Sequence, residues 1–104
     1  LTNTNEIVYQ KPQISFYRKL LIAYLIDTGT NTVPKIESCT GMYTRTIQDS
    51  LKSLSNIDIK CIANGARKTG FYSIEDWGPI RREYVVNNLE HICEVVGIKH
   101  ICAV

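Results

Sequence analysis

Apolar residues recur along the chain at helical spacing in four stretches and alternate with polar ones in two, and the order of these stretches predicts the architecture. In "SFYRKLLIAYLIDTG", Tyr17, Leu20, Leu21, Tyr24 and Leu25 fall at i, i+3, i+4, i+7 and i+8, one face of a helix, with Ser15 as a candidate N-cap and Gly29 as the stop. Ile22, Ala23 and Ile26 carry the apolar surface almost all round its second half. Such a helix needs cover on two sides, from its own domain and from a later helix or a second subunit. Residues 1–14 mix Thr, Asn and Gln with Pro12 and read as an extended or flexible arm.

A second helix opens at Thr32, whose hydroxyl suits an N-cap, with Pro34 in the first turn where a missing amide hydrogen costs nothing. Val33, Ile36 and Cys39 share its inner face, and Thr40-Gly41 ends it. Beyond Met42 a third helix, about 44–54, turns Ile47, Leu51 and Leu54 inward and Arg45, Gln48, Asp49 and Lys52 outward. At "NIDIKCIANG" the period drops to two: Ile57, Ile59, Cys61 and Ala63 point one way, Asp58, Lys60 and Ile62 the other. The glycine-bearing "NGARKT" and the alternating "GFYSIED" complete a β-hairpin. After "DWGP", with Pro79 at a first helical position, "IRREYVVNNLEHICEVVG" sets Ile80, Tyr84, Leu89, Ile92 and Val96 on one fourth helix closed by Gly97.

Helix, helix, helix, hairpin is the order of a winged helix domain: mainly α with a small β-hairpin, a helix-turn-helix in helices two and three, and the hairpin as wing. The predicted layout is an arm over 1–14, a winged helix-turn-helix core over 15–78, a C-terminal helix over 79–97 available for dimerisation, and a tail over 98–104. The bend between helices two and three requires a residue tolerant of left-handed backbone and then an apolar plug, and Gly41 and Met42 meet both demands. The third helix then serves as a recognition helix for the major groove, where Arg forks to guanine, Gln pairs with adenine and Asp accepts from cytosine. Candidate DNA contacts are therefore Arg45, Gln48 and Lys52, with Tyr43, Thr44 and Thr46 reaching phosphates or a thymine methyl. Lys35 is a phosphate clamp from helix two; Arg67 and Lys68, at the tip of wing 64–70, suit the backbone or the minor groove. Asp49 pairs with Arg45 one turn back or repels phosphate.

"LLIAYLIDTG", "TVPKIESCTGM", "RTIQDSL" and "GFYSIEDWG" together resemble a family of small prokaryotic winged helix-turn-helix proteins, over roughly Ser15 to Gly97. The resemblance implies the fold and a transcriptional role, with no enzyme activity. More distantly, the turn and third helix look like those of MarR-type repressors, except that Gln48 and Asp49 stand where such repressors often carry basic residues.

Composition adjusts this picture in three ways. The 104 residues, 44% hydrophobic, suffice for one unstapled core. Net charge is only +2, but residues 31–72 hold six bases against three acids and residues 73–104 three against five, so the positive part coincides with the helix-turn-helix and wing. Cys39, Cys61, Cys93 and Cys102 are scattered, as thiols of a reducing cytosol are. The repeated "HIC" at 91–93 and 100–102 offers zinc ligands, but residues two apart on a helix face opposite sides, so no metal and no cofactor is expected. Trp77 reads as a packing anchor. No stretch approaches a membrane span, no catalytic constellation is visible, and the protein is expected to be cytoplasmic and soluble. The chain thus reads as a DNA-binding transcriptional regulator acting as a homodimer on double-stranded DNA. Helix one, with Val85, Cys93 and Val95 beside the main stripe of helix four, supplies the subunit contact. The rival is a winged-helix protein-interaction module without DNA binding. A small-molecule sensor built on Tyr17, Tyr24, Tyr84 and Trp77 ranks lowest, for want of polar groups to orient a ligand.

Overall fold

The computed structural model describes residues 8–66 and 69–98. Its elements run α1 (Lys11–Asp27), α2 (Val33–Thr40), α3 (Thr44–Ser53), a 3-10 turn (Leu54–Ile57), β1 (Lys60–Asn64), β2 (Phe71–Asp76), α4 (Arg82–Asn87) and α5 (Leu89–Val96). The two strands pair antiparallel, Cys61 opposite Ile74 and Asn64 opposite Phe71, with an irregularity between Lys60 and Cys61. This is the mainly helical, winged helix architecture that the periodicity predicts.

The first helix is the axis of the core. Leu20, Leu21, Ile22, Ala23, Leu25 and Ile26 are all buried, and α3, α4, α5 and β2 pack around them. Both sides of the helix are thus covered within a single chain. Val85, Cys93 and Val95 are buried in that chain too, so the surfaces expected to form a homodimer contact are occupied by its own core. α1 also starts four residues before Ser15: Pro12 lies in its first turn, where no amide donor is required, and the Ser15 hydroxyl accepts from Lys19 Nζ at 2.9 Å instead of capping. Residues 11–14, expected in the arm, are therefore helical; residues 1–7 lie outside the described residues.

The second helix forms as expected. Thr32 Oγ1 accepts from the Lys35 amide at 3.2 Å, Ile36 and Cys39 are buried, and Gly41 closes the helix at φ 77° with its amide on the Glu37 carbonyl at 2.8 Å. Thr40 locks the bend from inside: its hydroxyl donates to the Ile36 carbonyl at 2.7 Å and accepts from the Met42 amide at 3.1 Å, and the Met42 side chain packs against the core.

Three further boundaries differ from those read off the pattern. α3 ends at Ser53, and Leu54 leads a 3-10 turn that Asp58 stops in left-handed backbone at φ 62°, so Ile57 and Ile59 precede the strand rather than belong to it. Pro79 sits in the turn before α4, not in its first turn, because Gly78 and Pro79 follow Asp76, whose carboxylate accepts from the Gly78 amide at 2.8 Å. The predicted fourth helix is two. Asn88 breaks it at φ −122° and ψ 24°, and its side-chain amide donates back to the Tyr84 carbonyl at 2.8 Å, the local bonding by which Asn competes with helical backbone. The chain restarts as α5 when the Ile92 amide bonds the Asn88 carbonyl at 2.9 Å.

Polar links then fix the periphery. Arg82 Nε donates to Asp27 at 2.6 Å, tying the start of α4 to the end of α1, and the Tyr17 and Tyr84 hydroxyls share a hydrogen bond at 3.2 Å. His91 is exposed and meets the rings of Tyr9 and Tyr17 edge-on, whereas Cys93 is buried; His100 and Cys102 lie outside the described residues. Trp77 is half-buried against the core.

Gly78 is the backbone position with least latitude: at φ 62°, an added Cβ would stand 2.2 Å from the Asp58 carbonyl oxygen. Gly97 also has positive φ, 92°, but open space around it. Gly78→Ala is expected to cost about 3 kcal/mol or more and Gly97→Ala about 1 kcal/mol, measured as urea midpoints with unchanged m-values.

Candidate nucleic-acid interface

The polar face of α3 is left outside because the opposite face is held down. Ile47 and Leu54 are fully buried, Leu51 is half-buried, and Ser50, rather than a fourth apolar side chain, fills the remaining inner position. Arg45, Gln48, Asp49 and Lys52 are consequently exposed together. The Arg45 side chain is 87% exposed, yet its Nε lies 3.6 Å from Asp49 Oδ2. An exposed i,i+4 pair of this kind adds at most about 0.5 kcal/mol to stability. Its larger effect is electrostatic, because it halves the local charge that phosphate would meet.

At the start of α3 the three hydroxyl-bearing residues Tyr43, Thr44 and Thr46 differ in their surroundings. Thr44 Oγ1 donates to a carboxylate oxygen of Glu37 on α2, a link across the turn that fixes the two helices and places a negative charge beside the first turn of α3. Thr46 is half-buried. Tyr43, the N-cap, makes no side-chain cap and is 82% exposed, the most exposed aromatic ring among the described residues.

The hairpin stands beside α3. Gln48, Leu51, Lys52 and Tyr72 line a hollow of about 400 Å³ between them, and Val33, Pro34, Asn64, Gly65, Phe71 and Tyr72 line most of another of about 510 Å³ at the start of α2. The Tyr72 amide donates to the Asn31 carbonyl at 2.9 Å, which fastens β2 to the loop ahead of α2 and so fixes the hairpin relative to the helix-turn-helix. Gly70 is required where the loop closes, since a Cβ there would meet the Ala66 carbonyl at 2.7 Å. Lys35 is exposed on the first turn of α2. Arg67 and Lys68, the expected wing contacts, lie outside the described residues.

Two residues that the pattern passed over belong to this neighbourhood. Glu37 is one, through Thr44. Arg18 is the other: it lines a hollow with Met42, Tyr43 and Thr46, and its Nε is buried. The signal was present in the sequence, since Arg18, Leu21, Ile22 and Leu25 fall at i, i+3, i+4 and i+7, a cation in line with a core stripe. Burial holds the thiols of Cys61 and Cys93 above their ordinary range, hence protonated and poorly nucleophilic. Among the described residues, no group of three His, Cys, Asp or Glu side chains is placed to hold a metal ion. Tyr17 and Tyr84 bond each other beside a surface hollow of about 300 Å³ whose other lining is Phe16, Leu20 and 79–81, and neither Tyr24 nor Trp77 lines it.

A search of curated proteins finds no match to this chain. The chain is similar to a DUF2131 family protein from Shewanella amazonensis SB2B, known from a crystal structure. The two share 28% identity over 86% of this chain and 90% of that one, with a TM-score of 0.80. The MarR-type likeness has no counterpart in these matches. A family model described as winged helix-turn helix matches residues 11–96, the span from the first turn of α1 to the last of α5, and on that match the chain belongs to the winged helix-turn-helix family.

Proposed function

We propose that this domain binds double-stranded DNA as a cytoplasmic transcriptional regulator, with α3 in the major groove and the hairpin along the backbone or minor groove. The observation that carries this reading is the exposed face of α3: Arg45, Gln48 and Lys52 lie on one uncovered stripe, next to a hairpin that a backbone hydrogen bond holds in place. In this reading Arg45 and Gln48 address base edges, and Lys35 and Lys52 neutralise phosphates. Tyr43 and Thr46 contact the strand at the start of α3, Thr44 holds the turn through Glu37, and Arg67 and Lys68 extend the contact on the wing. No helix among the described residues is long and apolar enough to cross a membrane, and the reading needs no enzyme activity, effector or cofactor. Val85, Cys93 and Val95 are buried within the chain, and the reading does not depend on a homodimer.

A second reading, a protein-interaction module, is favoured by one specific observation: the acids Asp49 and Glu37 offset cations on the very helices that would meet phosphate. Salt separates the two. For DNA binding, log K falls with log salt by about 0.9 for each neutralised phosphate, whereas a protein interface has no such obligation.

Selection of bound duplexes from a random pool tests the assignment. Arg45→Ala is expected to change the selected base at one position, while Lys52→Ala weakens all sequences alike and lowers the salt slope by about one. A flat salt response of the wild type would remove the DNA reading.

Asp49→Asn frees the Arg45 guanidinium and is expected to tighten duplex binding by about 1 kcal/mol, roughly fivefold, in a fluorescence-anisotropy titration. Folding stability should change by less than about 0.5 kcal/mol, since the pair is exposed. Thr44→Val, which removes the donor to Glu37, is expected to lower unfolding free energy by about 1 kcal/mol in urea melts.

A further inference from the structure

Of the two edges of β1, β2 covers one. The register sets Cys61 opposite Ile74 and Ala63 opposite Tyr72. The Tyr72 amide turns away from β1, since it donates to the Asn31 carbonyl at 2.9 Å, so Ala63 and Tyr72 form a pair without mutual hydrogen bonds. The same phase returns two residues earlier, and the amides and carbonyls of both Cys61 and Ala63 therefore point to the outer edge. Among the described residues they meet no partner there: β1 packs on β2 and on the 3-10 turn before it, whereas α1 packs on β2.

An open edge accepts any strand that reaches it, and proteins guard such edges with charge, proline or bulges. This one is scarcely guarded. Lys60 is the only charged residue of β1, it stands at the end of the strand beside the irregularity, and Glu75 of the same hairpin holds its Nζ at 3.1 Å. Cys61, Tyr72 and Ile74 pack against the core, so Ile62 and Asn64 lie on the opposite face of the hairpin with Ser73 and Phe71.

The strand is complementary to itself. Laid antiparallel on a copy with Ile62 on the two-fold axis, Cys61 of each strand falls opposite Ala63 of the other, and Lys60 opposite Asn64. This register joins the two outward amides and two outward carbonyls of each strand in four hydrogen bonds, and no other register within β1 uses them all. Ile62 then meets its own copy in a pair without hydrogen bonds, where side chains across two strands stand closest. Like charges do not meet, because the residue across from Lys60 is neutral. A foreign strand would have to bring this same pattern; a second copy carries it already.

We propose that β1 is a dimerisation edge, to which a second copy of this chain adds its own β1 antiparallel, joining two hairpins into a four-stranded sheet. The pairing uses no residue of α3 and does not rest on the DNA reading. An edge of five residues makes a small interface, so the dissociation constant is expected on the order of 10–100 µM.

Sedimentation velocity of the full chain from about 10 to 500 µM tests the edge, with amide hydrogen exchange read residue by residue by mass spectrometry at both ends of that range. The sedimentation coefficient is expected to rise with concentration. The Cys61 and Ala63 amides should exchange roughly fivefold more slowly at the upper end, while the Tyr72 amide, already bonded to Asn31, is unchanged. Ala63→Pro removes an outward donor without touching a bond to β2, and Ile62→Lys sets two like charges face to face on the axis. Both variants are expected to keep the wild-type circular dichroism and to stay monomeric throughout, whereas Ile62→Val still dimerises. If one of the two fails to fold the other decides, and if both fail the wild-type amides decide. A wild type that is monomeric at the upper end, or a dimer that persists in both variants, overturns the edge. So do Cys61 and Ala63 amides protected equally at every concentration, the mark of a cover from the same chain, and a dimer that leaves them unprotected. No arm of the experiment reads duplex binding, so failure of the edge and failure of the DNA reading are separate results.

Discussion

The structure depends on burying a helix that is apolar nearly all the way round. With six of the seven residues from Leu20 to Ile26 out of solvent, α1 cannot lie on a surface, and α3, α4, α5 and β2 all pack against it. α3 takes one side, α5 and α4 another, and β2 a third. Truncating a Leu in such a position typically costs 2–5 kcal/mol, which is a large fraction of the stability of any domain of this size. The exposed chemistry is what remains after that requirement is met.

That remainder is not arbitrary. α3 must turn Ile47 and Ser50 into the interior and hold Leu51 against the core, so its opposite stripe of Arg45, Gln48, Asp49 and Lys52 has nowhere to go but outward. Gly41 in left-handed backbone, with Thr40 bonded on both sides of it, sets the angle at which this happens. The same packing leaves Arg18 Nε buried without a hydrogen-bond partner. The exposed stripe of α3 and the core therefore lie on one short helix, and that stripe inherits the rigidity of the interior.

The electrostatics of this surface are restrained. Asp49 holds Arg45 at 3.6 Å, and Glu37 accepts from Thr44 at the head of the helix. Both acids lower the attraction for phosphate without regard to sequence, leaving a larger share of any DNA affinity to base edges. On the proposed reading, a domain with net charge of only +2 gains selectivity over non-specific binding in this way, at a cost in absolute affinity.

Local rules written in the sequence were enough for the order of elements, the Thr32 cap, the Gly41 turn and the outward stripe of α3, because each follows from periodicity or backbone preference within a few residues. They were also enough for the hairpin, though not for its first residue, since the left-handed Asp58 inserts a turn that alternation of Ile57 and Ile59 conceals. What required the tertiary structure was every decision about partners. Whether Val85, Cys93 and Val95 meet a second subunit or their own α1, whether Thr44 faces phosphate or Glu37, and whether Arg18 is one more surface cation or a buried donor all depend on which elements stand side by side. Such contacts join residues far apart in the chain, and hydrophobic period states only that a face must be covered, never by what.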